Sequence, residues 1–392
     1  MVVRAAARSL DDRVDELLDR CDPRAATAAE FFGAQFDLGL AWVGFGEGEG
    51  GHGAPAGEQG RVRARLAAAG APDHPLRSVI GLGMAAPTIA AHGSPELRRR
   101  LRAIFTTEET WCQLFSEPGA GSDLAGLATR AVPVDGGWIV NGQKVWTSYA
   151  HVADWGLLLA RTDPELPKHR GLTYFALDMR TRGVEVRPLR QITGDAEFNE
   201  VFLTDVFVPD THRLGERGAG WTVAMTTLMN ERTALPGNAA GLEDPLDAVL
   251  REGAARHVTD PVLLDRLVAL RVRGRLIKLT LHRFGADSDG GPGPEGSIGK
   301  LLWAEYMKDA TELQVDLLGR DAIAYPPGYR LRRTGRPGPG GDVRYDYLRS
   351  RAASIEGGTS EIMRGILAER VLGLPREPDP GRGLPWNEGR HG

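Results

Sequence analysis

Between Trp111 and Pro209 lie six short segments rich in β-branched and aromatic residues, and on either side of that stretch the periodicity is helical. The segments are Trp138-Ile139-Val140, Lys144–Tyr149, Trp155–Ala160, Leu172–Leu177, Gly183–Arg187 and Val201–Val208. Gly136-Gly137 and Asn141-Gly142 punctuate them as hairpin turns do, so the stretch reads as an antiparallel β module. From Leu10 to about Glu108 the pattern is helical. Val14, Leu17 and Leu18 share a face, and Ser94-Pro95 after His92-Gly93 starts a new helix with a cap. Beyond Gly220, the residues Leu263, Leu267, Leu270, Gly274, Ile277 and Leu281 recur at alternating spacings of four and three. Further helices are expected over Leu301–Leu318 and Glu361–Leu372. Helices, then sheet, then helices specify an α+β chain, not alternating βαβ units. The expected domains are 1–110 (helical), 111–218 (β) and 219–376 (helical), with a tail over 377–392.

Charge and cysteine usage narrow the function classes. With 48 basic and 52 acidic side chains the net charge is −4, which argues against a nucleic-acid partner. Cys21 and Cys112 are far apart, which argues against a disulfide scaffold or a cysteine metal site. The nine histidines show no close ligand spacing, so no metal is expected. The longest largely apolar run, Val79–Ala91, is too short to span a bilayer. Asp11, Asp12, Asp15 and Glu16 follow the Arg/Ala-rich opening at once, so a transit peptide is not expected and the location reads as cytoplasmic.

Glycine is over-represented, 51 residues in 392, about twice average usage. Gly46-Glu47-Gly48-Glu49-Gly50-Gly51 matches G-x-G-x-x-G, but two glutamates inside the loop would repel phosphate, and it reads as a flexible turn. Ser116-Glu117-Pro118-Gly119-Ala120-Gly121-Ser122-Asp123 differs: small residues let backbone N–H groups approach a ligand, and its serines add hydroxyls. It is followed by Asn141–Ser148 (NGQKVWTS), in which Trp146 offers a flat face for a planar heterocycle and Ser148 a hydrogen bond.

These two motifs, with ADWGLLLART (Ala153–Thr162), FNEVFLTDVFVP (Phe198–Pro209) and EGGTSEI…AERVLGLP (Glu356–Pro375), resemble the acyl-CoA dehydrogenase family in consistent order from about Leu76 to Pro375. The resemblance implies an N-terminal helical domain, a middle β-barrel or sandwich domain and a C-terminal four-helix bundle, with FAD between them. It implies a homodimer or homotetramer, an acyl thioester substrate carried by CoA or a carrier protein, and an electron-transfer flavoprotein as acceptor. By position, Ser116 matches the hydroxyl residue on the flavin pyrimidine edge, with Gln113 and Phe115 on the same strand. Trp146 matches the residue flanking the isoalloxazine ring, Ser148 the one beside flavin N5, and Thr147 lies between them. Ser122 matches a serine near the thioester arm. Thr359 and Glu361 match cofactor-contacting positions at a helix N-terminus.

The implied chemistry removes an α-proton to a carboxylate base and a β-hydride to flavin N5. Most family members place the base immediately before the Gly-Thr that here is Gly358-Thr359. This chain has Gly357 there, and Glu356 is offset by one residue, which turns its side chain to another face. Isovaleryl- and long-chain-type members place the glutamate on the first helix of the C-terminal domain, where this chain reads Asn230-Glu231-Arg232. Glu231 is therefore the expected base, Arg232 a neighbour tuning its charge, and the backbone N–H of Gly357 a donor to the thioester oxygen. Two family segments differ. Leu281-His282-Arg283 precedes Phe284-Gly285, and Asp316-Leu317-Leu318-Gly319-Arg320 replaces Gln-x-x-Gly-Gly; Arg283 and Arg320 are candidate substitutes for the lost FAD contacts. Tyr325–Gly341 reads as an Arg-rich surface loop. Three alternatives stand beside the dehydrogenase: a carrier-protein acyl or aminoacyl dehydrogenase, a flavin oxidase or monooxygenase, and a non-catalytic subunit of a hetero-oligomer.

Overall fold

The computed structural model describes residues 8–238, 249–250, 259–286, 296–325, 342–378, 381 and 383–389, without the side chains of 56, 232–238, 282 and 284–286. The N-terminal region is helical: α1 (Leu10–Arg20), α2 (Ala28–Asp37), α3 (Gln59–Ala68), α4 (Ala86–His92), α5 (Pro95–Arg98) and α6 (Leu101–Phe105). Ser9 and Thr27 each cap a helix reciprocally with the acid three residues on, Asp12 and Glu30. Ser94 caps α5 as its sequence context implies. The glycine run at 46–51 is a packed turn rather than a flexible one. Glu49 pairs with Arg98 at 2.7 Å, and a Cβ on Gly51 would lie 2.2 Å from the Trp42 carbonyl oxygen.

The middle region is one sheet of eight strands: β1 (Trp111–Leu114), β2 (Arg130–Val134), β3 (Gly137–Ser148), β4 (Trp155–Arg161), β5 (Leu172–Asp178), β6 (Val184–Leu189), β7 (Phe198–Pro209) and β8 (Arg213–Leu214). The order is β6-β7-β3-β2-β4-β5-β8, with β1 added to β4. Two expectations change here. The sheet is not wholly antiparallel, because β1 runs parallel to β4, with Trp111 opposite Trp155. Asn141-Gly142 is also not a hairpin turn. It lies inside the single long strand β3, where the register against β7 shifts between Val140 and Gly142 and the Asn141 amide bonds both the backbone and side chain of Asp205.

Strands β4 and β5 read as continuous apolar runs because both faces of the sheet are covered. Trp155, Leu157, Leu159, Leu172, Tyr174 and Ala176 face a core shared with the N-terminal helices, whereas Leu158, Ala160, Phe175 and Leu177 face a second core with β3 and β7. The C-terminal region holds α7 (Gly220–Asn238), α8 (Pro261–Ala286), α9 (Gly296–Leu318), α10 (Val343–Ser350) and α11 (Ser360–Ile366), the last followed by a π turn at Leu367–Val371 rather than a continuous helix. Val223 and Ala224 of α7 belong to the first core, so α7 is mounted on β5 and the N-terminal helices. On α8, Leu267, Leu270 and Ile277 are buried against Tyr306, Leu313 and Leu317 of α9. Gly274 admits the Tyr306 ring, since a Cβ there would stand 2.8 Å from its hydroxyl. The segment 326–341, most of the Arg-rich loop, lies outside the described residues. Among the described residues no helix is long and apolar enough to cross a membrane.

Candidate active site

Two strand ends build the first half of the site. The Val145 N–H donates to the Ser116 carbonyl at 2.9 Å, joining the end of β3 to the loop after β1. Beneath that junction the Glu117 carboxylate accepts from Lys144 Nζ at 2.8 Å and from the N–H groups of Ala128 and Thr129 at 2.7 and 2.9 Å. The Lys144 ammonium also donates to the carbonyls of Phe115 and Leu159. Burial works to raise the Glu117 pKa, but the Lys144 charge and these donors outweigh it and hold the carboxyl below its ordinary value. The small-residue loop is thus anchored by a buried ion pair whose two members both sit inside the sequence motifs. Ser122 is exposed near its far end, where Asp123 pairs with Lys168.

Trp146 stands at the end of β3 with its backbone in the left-handed region, φ +60°, and is 60% exposed. Phe198 holds the ring edge-on at 5.9 Å between centroids. A large apolar ring held open to solvent on a strained backbone is an unusual element in a fold this well packed. Gln113, Ser116 and Ser148 are half-buried nearby in the strand framework, and Phe115 is buried edge-on to Tyr174. Thr147, between Trp146 and Ser148, is fully buried: the left-handed backbone at Trp146 and the register shift between Lys144 and Thr147 interrupt the strand's alternation here. Its carbonyl accepts from Asn199 Nδ2 at 3.0 Å, and its hydroxyl has no hydrogen-bond partner among the described residues. The open Trp146 face with hydroxyls on both flanking segments fits a planar, polar-edged heterocycle.

The second half of the site comes from the C-terminal region. On α7 the Thr227 hydroxyl lies 2.9 Å from both the Thr88 and the Tyr174 hydroxyls, a buried chain across three elements. Glu231 follows one helical turn later, half-buried. Its charge adds to the burial that drives the Tyr174 phenol pKa upward, with the bond to Thr227 opposing. The Arg232 side chain lies outside the described residues. Glu356 has a different environment: the Arg349 guanidinium grips it with two nitrogens, at 2.8 and 3.2 Å. Gly357 and Gly358 follow with φ of +64° and +95°, a left-handed pair suited to glycine.

Thr359 caps α11, accepting from the Ile362 N–H at 3.2 Å, while the exposed Glu361 faces Arg364. Both line a cavity of about 420 Å³ with Glu305, Lys308, Ser354 and Arg364. Arg283 and Arg320 are exposed. No group of three or more metal-ligating side chains occurs among the described residues.

The sequence profile of the acyl-CoA dehydrogenase middle domain matches residues 112–206, and that of the acyl-CoA dehydrogenase C-terminal domain matches residues 218–372. The chain is 38% identical over 354 residues to acyl-CoA dehydrogenase IpdE1 of Mycobacterium tuberculosis, covering 86% of each. The chain belongs to the acyl-CoA dehydrogenase family. It is also 44% identical over 329 residues to acyl-CoA dehydrogenase FadE34 of the same organism, covering 83% of this chain and 44% of that protein, so it spans less than half the length of that relative. Among solved structures, a chain of the ChsE4–ChsE5 complex from Mycobacterium tuberculosis is similar, with a TM-score of 0.70 and 27% identity over 95% of this chain and 100% of that one.

Within this acyl-CoA dehydrogenase, several residues that shape the site were missed from sequence. Lys144 and Glu117 lay inside quoted motifs, but nothing in their spacing marks them as partners. Thr88, Tyr174 and Thr227 come from three distant segments with no shared motif. Arg349 carried one usable signal, a cation seven residues ahead of Glu356.

Proposed function

We propose that the chain is an FAD-dependent acyl-CoA dehydrogenase that removes the α- and β-hydrogens of an acyl thioester to give the trans-2-enoyl product, with Glu231 as the base. The observation that carries the reading is the contrast between the two candidate carboxylates. Glu356 is held by Arg349, whereas Glu231 sits half-buried on α7 beyond the Thr88–Thr227–Tyr174 hydroxyl chain. FAD, when bound, supplies the two-electron acceptor for the β-hydrogen. Trp146 would cover its ring, Ser116 and Ser148 would bond its polar edges, and the Thr359 hydroxyl with Glu361, at the start of α11, would hold a further part of it through hydrogen bonds. The Glu231 carboxylate takes the α-proton, and negative charge then develops on the thioester oxygen. The backbone N–H of Gly357 answers that charge; a glycine there removes only a side chain. Ser122, on the exposed loop, would contact the thioester arm.

The test is desaturation of a panel of thioesters (butyryl-, isovaleryl- and octanoyl-CoA, a sterol side-chain CoA ester and an acyl-carrier adduct) with an artificial electron acceptor replacing an electron-transfer flavoprotein. Glu231→Gln is expected to lower kcat by about 10³-fold or more, while Glu356→Gln stays within about tenfold of the parent because it removes an ion pair rather than the base. Retained activity in Glu231→Gln would overturn the assignment. Oxygen consumption without added acceptor would instead favour an oxidase.

We further infer that the chain works in an assembly with a second acyl-CoA dehydrogenase chain. Helix α8 exposes Val268, Val272, Leu276 and Leu279, each at least half exposed, along one stripe, more contiguous apolar surface than a lone helix face usually leaves in water. FadE34 is more than twice the matched length, and the ChsE4–ChsE5 structure is a complex, which supports a hetero-oligomer beside the expected homo-oligomer. Light scattering should give at least a dimer, alone or with a co-expressed related chain; a monomer under both conditions would refute it.

A further inference from the structure

We propose that Thr227 is a positioning residue for Glu231: its hydroxyl, bonded to Thr88 and Tyr174, fixes the rotation of α7 about its own axis and so the direction of the carboxylate. The inference rests on the reading of Glu231 as the base. Residues four apart lie on one face of a helix, so Thr227 and Glu231 share a face of α7 one turn apart. Ala224 extends that face towards the helix start, and Ala224 and Thr227 are both 0% exposed. The start of α7 is seated on the sheet by close approach. A Cβ on Gly220 would lie 2.7 Å from backbone atoms of Leu172 and Thr173. That contact sets the depth of the helix, and a second point about two turns later sets its rotation. Thr88 lies on α4, Tyr174 on β5 and Thr227 on α7, so all three regions of the chain meet at this point.

Each hydroxyl has one proton to give, and that sets the direction of the chain. The Met84 carbonyl can only accept, so the Thr88 hydroxyl donates to it, at 2.7 Å. The Thr88 oxygen then accepts from Thr227 at 2.9 Å, and the Thr227 oxygen accepts from the Tyr174 phenol at 2.9 Å. Sending the Thr227 proton to the Val223 carbonyl, at 3.3 Å, would leave two hydroxyl oxygens 2.9 Å apart with no proton between them. Thr227 is therefore the central member, donor to one neighbour and acceptor from the other. Thr88 and Tyr174 are also 0% exposed, so a lost partner leaves a buried polar group unsatisfied. Thr226 adds a half-buried bond to His92 of α4 at 2.9 Å, whereas the Thr227 bonds reach the sheet as well. A small turn of α7 would swing the Glu231 carboxylate sideways, and a misplacement of about 1 Å can cost about 10²-fold in rate.

The experiment uses the full-length, flavin-loaded enzyme and whichever thioester of the panel turns over. Because product release can limit kcat, the readouts are the anaerobic rate of flavin reduction, the substrate Kd and the urea midpoint. Thr227→Val keeps the shape and removes the hydroxyl. It should slow flavin reduction about tenfold or more with Kd within about twofold, and it should lower the urea midpoint because the Tyr174 donor is stranded. Thr227→Ser keeps the hydroxyl and should return the rate to within about threefold of the parent. The double variant Thr227→Val/Tyr174→Phe removes the stranded donor, so it should recover the urea midpoint and leave flavin reduction slow. A merely structural role would let rate and stability recover together. A parental rate in Thr227→Val or in the double variant overturns the positioning role, and a double variant less stable than Thr227→Val overturns the proton order. If Thr227→Val does not accumulate as holoenzyme, Thr227→Ser and the double variant decide the question. The Glu231 reading fails separately, if Glu231→Gln stays active.

Discussion

Lys144 and Glu117 form an ion pair of 2.8 Å whose side chains are 0% and 8% exposed, and it joins strand β3 to the loop after β1. Each belongs to a different short motif, so the two motifs are one structural unit rather than neighbouring ligand contacts. The same unit places Ser116, Trp146 and Ser148 relative to one another: the Val145 N–H meets the Ser116 carbonyl directly above the pair.

Lys144→Met should cost about 3–5 kcal/mol, because it leaves the Glu117 carboxylate buried without its cation. Urea denaturation of apoprotein and holoprotein checks this, and flavin content should fall with stability. The double variant Lys144→Met/Glu117→Gln should recover part of the loss, since the stranded charge is gone. A loss under about 1 kcal/mol in the single variant would show that the pair is not closed in solution.

Trp146 separates cofactor affinity from folding stability. Trp146 is 60% exposed and its ring meets Phe198 edge-on, so Trp146→Ala should leave apoprotein stability within about 0.5 kcal/mol. The same change removes the flat face and should weaken flavin binding about tenfold or more, read by fluorescence titration. Trp146→Gly should weaken binding equally while stabilising the apoprotein by up to about 1 kcal/mol, because φ of +60° suits glycine. Equal flavin affinity in the Ala variant and the parent would remove Trp146 from the site.

What could be read from sequence follows a physical divide. Periodicity reports burial within one element, so the Leu267, Leu270 and Ile277 face and the covered strands β4 and β5 were visible as patterns. Asn141-Gly142 was misread because the same dipeptide serves a hairpin turn or a strand irregularity, and only pairing with Asp205 decides which. The one-residue offset of Glu356 was legible, and its grip by Arg349 supports setting it aside. The burial of Thr147 beside the exposed Trp146 left no mark in the motif, since it follows from the strand irregularity between Lys144 and Thr147. The Thr88–Thr227–Tyr174 chain left no trace in sequence, since its members meet only after three elements pack.

His74 predicts how stability depends on pH. Its ring stacks on Phe32 at 3.8 Å, and Nε2 donates to the Phe105 carbonyl at 2.9 Å. Burial holds its pKa below the ordinary value, with the Phe105 bond opposing. The unfolded chain therefore binds a proton more readily than the folded one. His74 contributes fully above the unfolded-state pKa of about 6.5, and its contribution is lost as pH falls below that value towards the folded pKa. Tm should be level near pH 7–8 and decline below about pH 6.5, and His74→Phe should flatten the decline. His92 and His212 are lowered by burial as well, so a smaller slope should persist. An identical slope in His74→Phe and parent would contradict the assignment.

The tail returns to the middle region at Trp386, and that docking is testable independently of catalysis. The Arg161 guanidinium is buried, donating to the carbonyls of Leu127, Ala125 and Lys168, and the Trp386 ring covers it at 4.3 Å. Burial pulls the Arg161 pKa down to about 10, with Glu117 and Asp123 opposing. The Trp386 N–H groups reach the carbonyls of Gly126 and Leu166, at 3.2 and 2.9 Å. The tail and Arg161 therefore hold the same turn at 125–127, directly after the loop that carries Ser122. Trp386→Ala should destabilise by about 2 kcal/mol through loss of the desolvated cation–π contact, and Trp386→Phe by less, because it keeps a ring over Arg161 while losing the indole N–H bond to Gly126. Limited proteolysis should cut the tail faster in the Ala variant than in the Phe variant. Equal cleavage rates in parent and both variants, with unchanged urea midpoints, would show that the tail does not dock on Arg161 in solution.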